Sequence, residues 1–477
     1  MQAAQSGGEG GVRLSRLNVM IAVTAAILGL VYGYDLGSIA SAILFLGPDL
    51  GLSTFMISVV TSAVVLGQIF GAFNAGRISN SIGRKRTMVG IALGYAVFAG
   101  LQGVAPGEWF LVVVRFLLGF AIGVSVVVAP AYIAESSPVS KRGAMIVTFQ
   151  IATISGIATA YFVGAALSGT ESWRLILSVA AIPAIVVLFL VLRLPDTPRW
   201  YLMNGRRGEA VSLIRRVEPD VDAEREADRI EEDLSYEERG SFVELFRGRF
   251  RLAGIFVVTL GFLVQITGIN AIVYYSPTII QQVGVTDPFR AIVVTGLIQL
   301  AGLAAAVVSL FVVDRWGRRL TLLTGVSTMA VANTILIVAF ATGPSAILAL
   351  LGILLFTMGF NFGYGSLVWV YASESFPARL RTQGGSAMLT SDLLANFIIG
   401  VVFLSALGIL GGSATFAIFL GLALVSLVFI YRLAPETKGR QLEAIRYYWY
   451  NGTRWPESGD ALPNATEGST SKRETRT

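Results

Sequence analysis

The chain has 477 residues, 54% hydrophobic and 14% charged, with a mean hydropathy of +0.70. A soluble protein carries about 25% charged residues, so the apolar runs that recur along its whole length read as a multi-pass membrane protein. It has no Cys and no His, which excludes disulfides, thiol catalysis, His proton relays and most zinc sites, and leaves any proton chemistry to carboxylates. The net charge of +6 is spread in a membrane pattern and does not point to nucleic acid.

In chain order, twelve spans are expected, beginning near residues 18, 55, 87, 109, 143, 172, 251, 288, 320, 346, 383 and 412. The first run is too long for a signal peptide and has no small-residue cleavage site, so it reads as a retained helix. With the N-terminus placed inside, Arg77, Arg84, Lys85, Arg86, Lys141, Arg142, Arg315, Arg318, Arg319, Arg379 and Arg381 fall in loops on one side. The opposite loops carry Asp49, Glu108 and Glu171, with Arg174 and Arg290 as their main cations. The positive-inside rule then makes both termini cytoplasmic. Four segments follow: a six-helix half (1–194), a cytoplasmic helical linker (195–250), a second six-helix half (251–434) and a cytoplasmic tail (435–477). The linker's "GRRGEAVSLIRRVEPDVDAEREADRIEEDL" is charged and amphipathic, as short surface helices are. The polar end of the tail reads as disordered. Asn451 and Asn464 match a glycosylation pattern, but a cytoplasmic tail does not meet that machinery.

The halves repeat one another. "SNSIGRKR" (79–86) echoes "VDRWGRR" (313–319), "AESSPVSKRG" (134–143) echoes "SESFPARLRT" (373–382), and "LPDTPR" (194–199) echoes "APETKGR" (434–440). Glu135 and Glu374 are each followed by Pro at the third and Arg at the seventh position. Three ordered matches at nearly one offset mark a duplicated bundle, a plan that transporters use to build alternating access around a midplane site. Two ions interrupt the apolar runs: Asp35 in "VYGYDLGS" and Arg115 in "WFLVVVRFLLG". A charge at that depth costs at least ~2.5–3.5 kcal/mol and marks function by default. The repeat carries Gly33-Tyr34-Asp35 onto Gly268-Ile269-Asn270, so one position is acidic in one half and neutral in the other. An acid whose Arg can approach or withdraw is a proton switch; a permanent structural ion pair is the alternative.

Taken together and in this order, "GYD", "GRISNSIGRKR", "RFLLGFAIG…PAYIAESSPVSKRG", "LPDTPRW", "QITGINAIVYYSP", "VDRWGRR", "W…SESFP…R" and "APETKGR" resemble the sugar porter family of the major facilitator superfamily, from Gly33 to Arg440. The resemblance implies an all-α membrane fold of two pseudo-symmetric six-helix halves around a central cavity, with short cytoplasmic helices. It implies Asp35 beside Arg115 as the proton-coupling site, since facilitators of the family carry Asn there. It carries over Gln150, Gln265, Asn270, Trp369 and Asn396 as sugar contacts, amides for hydroxyls and an indole for the apolar ring face. Tyr274 and Tyr275 correspond to an outer gate. Glu135, Arg142 and Arg199, mirrored by Glu374 and Arg381, with Arg84, Arg318, Arg319 and Glu436 nearby, correspond to an inner latch of charge-assisted bonds.

The departures are as informative. Val264 replaces the first of a usual Gln pair, Gly302 stands where an Asn is common, "GYGSLVW" has lost the usual proline, and Asp392-Leu393 replaces an amide-aromatic pair. Asp392 is placed in the pocket, to bind hydroxyls, to pair with a cationic substrate such as an amino sugar, or to add a second proton site. Gln68, Asn74, Gln299 and Asn333 match no such contact and read as interhelical glue, and the GxxxG pairs Gly119/Gly123 and Gly359/Gly363 as close helix packing. The expectation is a bacterial inner-membrane symporter, functional as a monomer, whose partners are a sugar or polyol, a proton and the lipid bilayer. No cofactor, metal or catalytic residue is expected. A uniporter with a structural Asp35, or a sensor that binds without turnover, is the alternative.

Overall fold

The structure, a computed structural model, describes residues 16–138, 142–219, 221–237, 242–343, 345–440 and 442–455. The N-terminal half contains α1 (Arg16–Leu50), α2 (Thr54–Ile82), α3 (Arg84–Gly103), α4 (Glu108–Ser136), α5 (Arg142–Leu167), α6 (Trp173–Ser178) and α7 (Ala181–Leu192). Three short helices follow: α8 (Pro198–Met203), α9 (Arg207–Val217) and α10 (Ala223–Glu237). The C-terminal half contains α11 (Arg251–Ile266), α12 (Ile269–Gln282), α13 (Pro288–Trp316), α14 (Arg318–Ala341), α15 (Ala346–Phe362), α16 (Tyr364–Glu374) and α17 (Ala378–Leu433), before α18 (Leu442–Tyr450).

Among the described residues, ten helical stretches are long and apolar enough to cross a membrane. One of them, Leu380–Leu433, is interrupted at Gly411 (φ 78°, ψ 167°) and supplies two spans, and the 20-residue α3 supplies the twelfth. The sixth, seventh and tenth spans are each broken in two, as α6/α7, α11/α12 and α15/α16. The seventh breaks because Gly268 takes φ 107°, a left-handed conformation that only glycine adopts without strain.

Small residues bring the helices within each half together. A Cβ on Gly33 would overlap the Thr153 carbonyl where α1 crosses α5, and one on Gly119 or Gly123 would overlap the Val64 or Gln68 carbonyl where α4 crosses α2. Gly359 meets Gly325 in the same way. The halves touch along α1 on α12, α5 on α13 and α2 on α17. The linker touches both: Asn18 of α1 donates to the Val217 carbonyl at 3.3 Å, and α10 packs on α17. Arg207 holds α9 to α10 through Glu224, Asp228 and Glu231.

One of the repeated motifs is a helix cap. Asp196 Oδ1 accepts from the backbone N–H groups of Arg84 (2.9 Å) and Lys85 (3.3 Å) at the start of α3. Glu436 accepts from Arg318 (3.0 Å) and Arg319 (3.1 Å) at the start of α14. A carboxylate there satisfies orphan donors and complements the helix dipole. The glycine before each helix has positive φ, 97° at Gly83 and 90° at Gly317, and a Cβ on either would overlap that carboxylate. This explains why "G-R" and "P-D/E-T" recur together.

Candidate functional site

A cavity of about 530 Å³ lies between the halves. Gln150, Gln265, Asn270, Trp369 and Asp392 all line it, as expected from the sequence. Its wall extends through Ala72, Val126, Pro130 and Ile146 in one half and Leu310, Phe360, Val370 and Leu389 in the other. These positions lead toward the helix ends that carry Arg77, Glu135, Arg315 and Glu374, here called the basic face. The opposite end is packed shut. Tyr161 of α5 donates to the Val273 carbonyl of α12, Gly296 abuts Tyr161 and Phe162, and Gly400 abuts Ser62.

The seventh span builds the polar heart of the cavity. Gln265, Ile269, Asn270 and Val273 all face it, so the stripe survives the break at Gly268. Asn270 Nδ2 donates to Gln265 Oε1 at 2.8 Å, and Gln265 stands beside the Asp392 carboxyl. Two amides and a carboxylate thus gather on one wall. Asp392 belongs to this pocket, and the apolar Val264 and Leu393 flank it on the same wall. Trp369, 41% exposed, contributes the broad aromatic surface. Asn396, one turn beyond Asp392, lies behind the wall instead, where its Oδ1 accepts from Tyr274 at 3.3 Å. Tyr274 and Tyr275 are fully buried in the closed end; Tyr275 donates to the Gly400 carbonyl at 3.0 Å and stands beside Ser58 and Thr61 of α2.

Asp35 and Arg115 are buried together, 4% and 0% exposed, with Oδ1 and Nη1 3.6 Å apart. Arg115 is held more closely by groups that the sequence reading missed. Its Nε donates to the Val60 carbonyl at 2.8 Å and its Nη1 to Gln102 Oε1 at 3.1 Å. Asp35 Oδ2 and Arg115 Nη2 have no hydrogen-bond partner among the described residues. A lone amide in the apolar third span was the available signal for Gln102. Asp35 is separated from the cavity by its neighbours on α1, Tyr32 and Leu36, which line it. Tyr32 is within electrostatic reach of both Asp35 and Asp392.

At the basic face each half gathers its own cluster. In the first, Glu135 takes Arg84 at 3.1 Å through both carboxylate oxygens, Arg199 at 3.9 Å and the Thr197 hydroxyl at 2.6 Å. In the second, Glu374 is half-buried without a hydrogen bond at its Oε2 among the described residues, Arg318 pairs with Asp314 at 3.5 Å, and Arg319 donates to the Tyr431 carbonyl. The side chain of Arg142 lies outside the described residues; Arg381 sits in the first turn of α17. Arg84 and Thr197 stand beside Glu135 in the first cluster.

The glue reading of four amides is corrected by the structure. Asn74 bonds back to the Phe70 carbonyl of its own helix at 2.9 Å. Neither end of the Gln68 or Asn333 amide, nor Gln299 Nε2, has a partner among the described residues. Gln68 and Gln299 line the cavity, as does Asn361, which was not singled out and which bonds the Thr357 carbonyl at 2.9 Å.

Residues 21–449 match the family described as "Sugar (and other) transporter". The chain is 32% identical to the galactose-proton symporter of Escherichia coli K12, over 93% of this chain and 97% of that protein. It is 31% identical to the arabinose-proton symporter of the same organism, over 90% and 93%, and 30% identical to polyol transporter 5 of Arabidopsis thaliana, over 92% and 87%. Among solved structures it is similar to the inward open conformation of the xylose transporter XylE from E. coli, with a TM-score of 0.78 at 23% identity, covering 91% of this chain and 100% of that one. The chain therefore belongs to the sugar (and other) transporter family of the major facilitator superfamily, a family of membrane transporters and not of enzymes.

Proposed function

We infer that this chain imports a sugar or polyol together with a proton, by alternating access. The observation that carries the reading is one bundle holding both an amide-lined cavity and, behind its α1 wall, a buried carboxylate beside a buried arginine. Amides offer paired donors and acceptors to hydroxyls, and the Trp369 indole suits the apolar face of a sugar ring. With Asp35 ionised, Arg115 is drawn toward it. With Asp35 protonated, that attraction is gone and Val60 and Gln102 retain the arginine. The position of Arg115, closer to Gln102 than to Asp35, suits a state in which the acid can exchange its proton. Tyr32, on α1 between Asp35 and the cavity, is placed to link proton and substrate.

The positive charge of the basic face orients it to the cytoplasm, so both termini lie inside and the cavity opens inward, in a bacterial inner membrane. When that face closes, Glu135 and Glu374 meet new cationic partners across the gap, and the clusters act as a latch. One chain builds the whole cavity, so a monomer suffices. Tyr274 and Tyr275 gate the outer end. The test is uptake of galactose, arabinose, xylose and polyols into vesicles with an imposed inward proton gradient. Accumulation above the external concentration, collapsed by a protonophore, is expected. Uptake that only equilibrates, unaffected by the gradient, refutes coupling.

A further inference from the structure

The cavity holds two kinds of amide. Asn270 and Gln265 are tied to each other, and Asn361 is tied to its own helix. Gln68 and Gln299 are not. Both line the cavity, yet they are 1% and 2% exposed. Gln68 Nε2 and Oε1 and Gln299 Nε2 have no hydrogen-bond partner among the described residues. Each orphaned polar group of this kind costs about 1–3 kcal/mol when buried. A bundle that keeps them at a cavity wall gains something in another state. Water is one partner, but the apolar neighbours of Gln68, Ala72 and Gly123 and Val126, give a bridging water few second contacts.

The two amides also sit in complementary places. Gln68 is on α2, whose outer end packs on α17 of the other half at Ser62 and Gly400. Gln299 is on α13, one turn from Gly296, where α13 packs on α5. Each therefore stands beside a seam between the halves, one contributed by each half. The family resemblance assigned neither of them a role.

We propose that Gln68 and Gln299 are substrate-binding residues that complete the site from the two seams, each hydrogen-bonding hydroxyls of the transported polyhydroxylated ligand. The proposal rests on the reading of the cavity as a sugar site and names two further contacts within it. A ligand held this way bridges the halves. Its hydroxyls supply what the buried amides lack, so part of its binding energy comes from relieving them. Gln68→Leu and Gln299→Leu keep volume and remove the polar group. Binding of D-galactose, L-arabinose and D-xylose to purified protein, by calorimetry, reads the effect. For whichever of them binds the unaltered chain, each variant is expected to raise Kd about three- to tenfold, the range of a net hydrogen bond. The double variant should approach the product, since the residues lie in different halves. The deoxy analogue lacking the contacted hydroxyl should bind the unaltered chain more weakly than the parent sugar by a similar factor, and this comparison within one protein does not depend on the variant's folding yield. Unchanged Kd in both variants, with the sugar bound by the unaltered chain, overturns the proposal. If no sugar binds the unaltered chain at all, the sugar reading itself fails and takes this inference with it.

Discussion

Replacing Asp35 by Asn should separate coupling from transport if Asp35 carries the proton. At a membrane potential of about 100 mV one proton per sugar supplies about 2.3 kcal/mol. A gradient of about one pH unit adds about 1.4 kcal/mol, so that a fully coupled carrier accumulates its substrate roughly 500-fold. The Asp35→Asn variant has no proton to carry, and its accumulation ratio should fall to about one. The structure says that the fold should tolerate the change. Removing one partner of a tight buried ion pair costs about 3–5 kcal/mol because the other charge is stranded. Here the pair is 3.6 Å apart, and Arg115 keeps its bonds to the Val60 carbonyl and to Gln102 Oε1. The cost should therefore fall below that range, and exchange of labelled for unlabelled sugar should persist. The assay is both measurements on one vesicle preparation. Undiminished, protonophore-sensitive accumulation by the variant would refute the assignment of Asp35, and loss of exchange along with accumulation would make the pair structural.

Asp392→Asn should weaken native-ligand binding by about 1.5–3 kcal/mol, the range for a hydrogen bond to a charged group, as read by calorimetry; an unchanged Kd would remove Asp392 from the contact set. Asp196→Ala should lower stability by about 0.5–2 kcal/mol, as loss of a helix cap does, with Glu436→Ala giving a matching loss in thermal unfolding of the detergent-solubilised protein. Tyr161→Phe deletes the bond to the Val273 carbonyl that joins the halves at the closed end. Spin-label distances across that end should broaden toward an open population, and identical distances would show that packing alone holds it. Glu135→Gln should change the distances across the basic face if the latch reading is right, and leave them unchanged if the cluster only organises its own half.

Span positions were legible because each apolar run is long and the charges between runs alternate in sign from side to side. The repeats were legible too, but their local meaning was not. "LPDTPR" and "APETKGR" differ by a methylene at Asp196 and Glu436, and nothing in a linear pattern says that both carboxylates cap a helix more than 100 residues upstream. The polar stripe of the cavity was legible at Gln265 and Asn270 because they share one short segment, whose geometry is local. Asn396 shows the limit. Helical spacing puts it on the stripe of Asp392, but Tyr274 from another span covers it. Gln68 and Gln299 show the converse: an amide that bridges helices and one that faces a cavity have the same sequence, and only the neighbouring helices decide between them.

The divergence of the two halves follows from one glycine. Gly33 and Gly268 are equivalent by the repeat. In α1 the glycine is spent on close approach to Thr153, and the helix runs on unbroken, so that Asp35 two residues later is buried against Arg115. In the seventh span Gly268 takes φ 107°, the helix restarts, and Asn270 two residues later bonds Gln265 in the cavity. The same offsets that relate the motifs carry Arg115 into residues 349–355, which read Ala-Leu-Leu-Gly-Ile-Leu-Leu. The second half thus lacks both the acid and the cation. A buried charge without its partner is expensive, so the two charges are kept or dispensed with as a pair. One copy of the duplicated unit is left with a buried ion pair and a straight helix, and the other with a broken helix and a polar contact. A cavity that closes on substrate must move the broken helix against the straight one, since α1 packs on α12, and that shared surface is where proton and sugar can be linked.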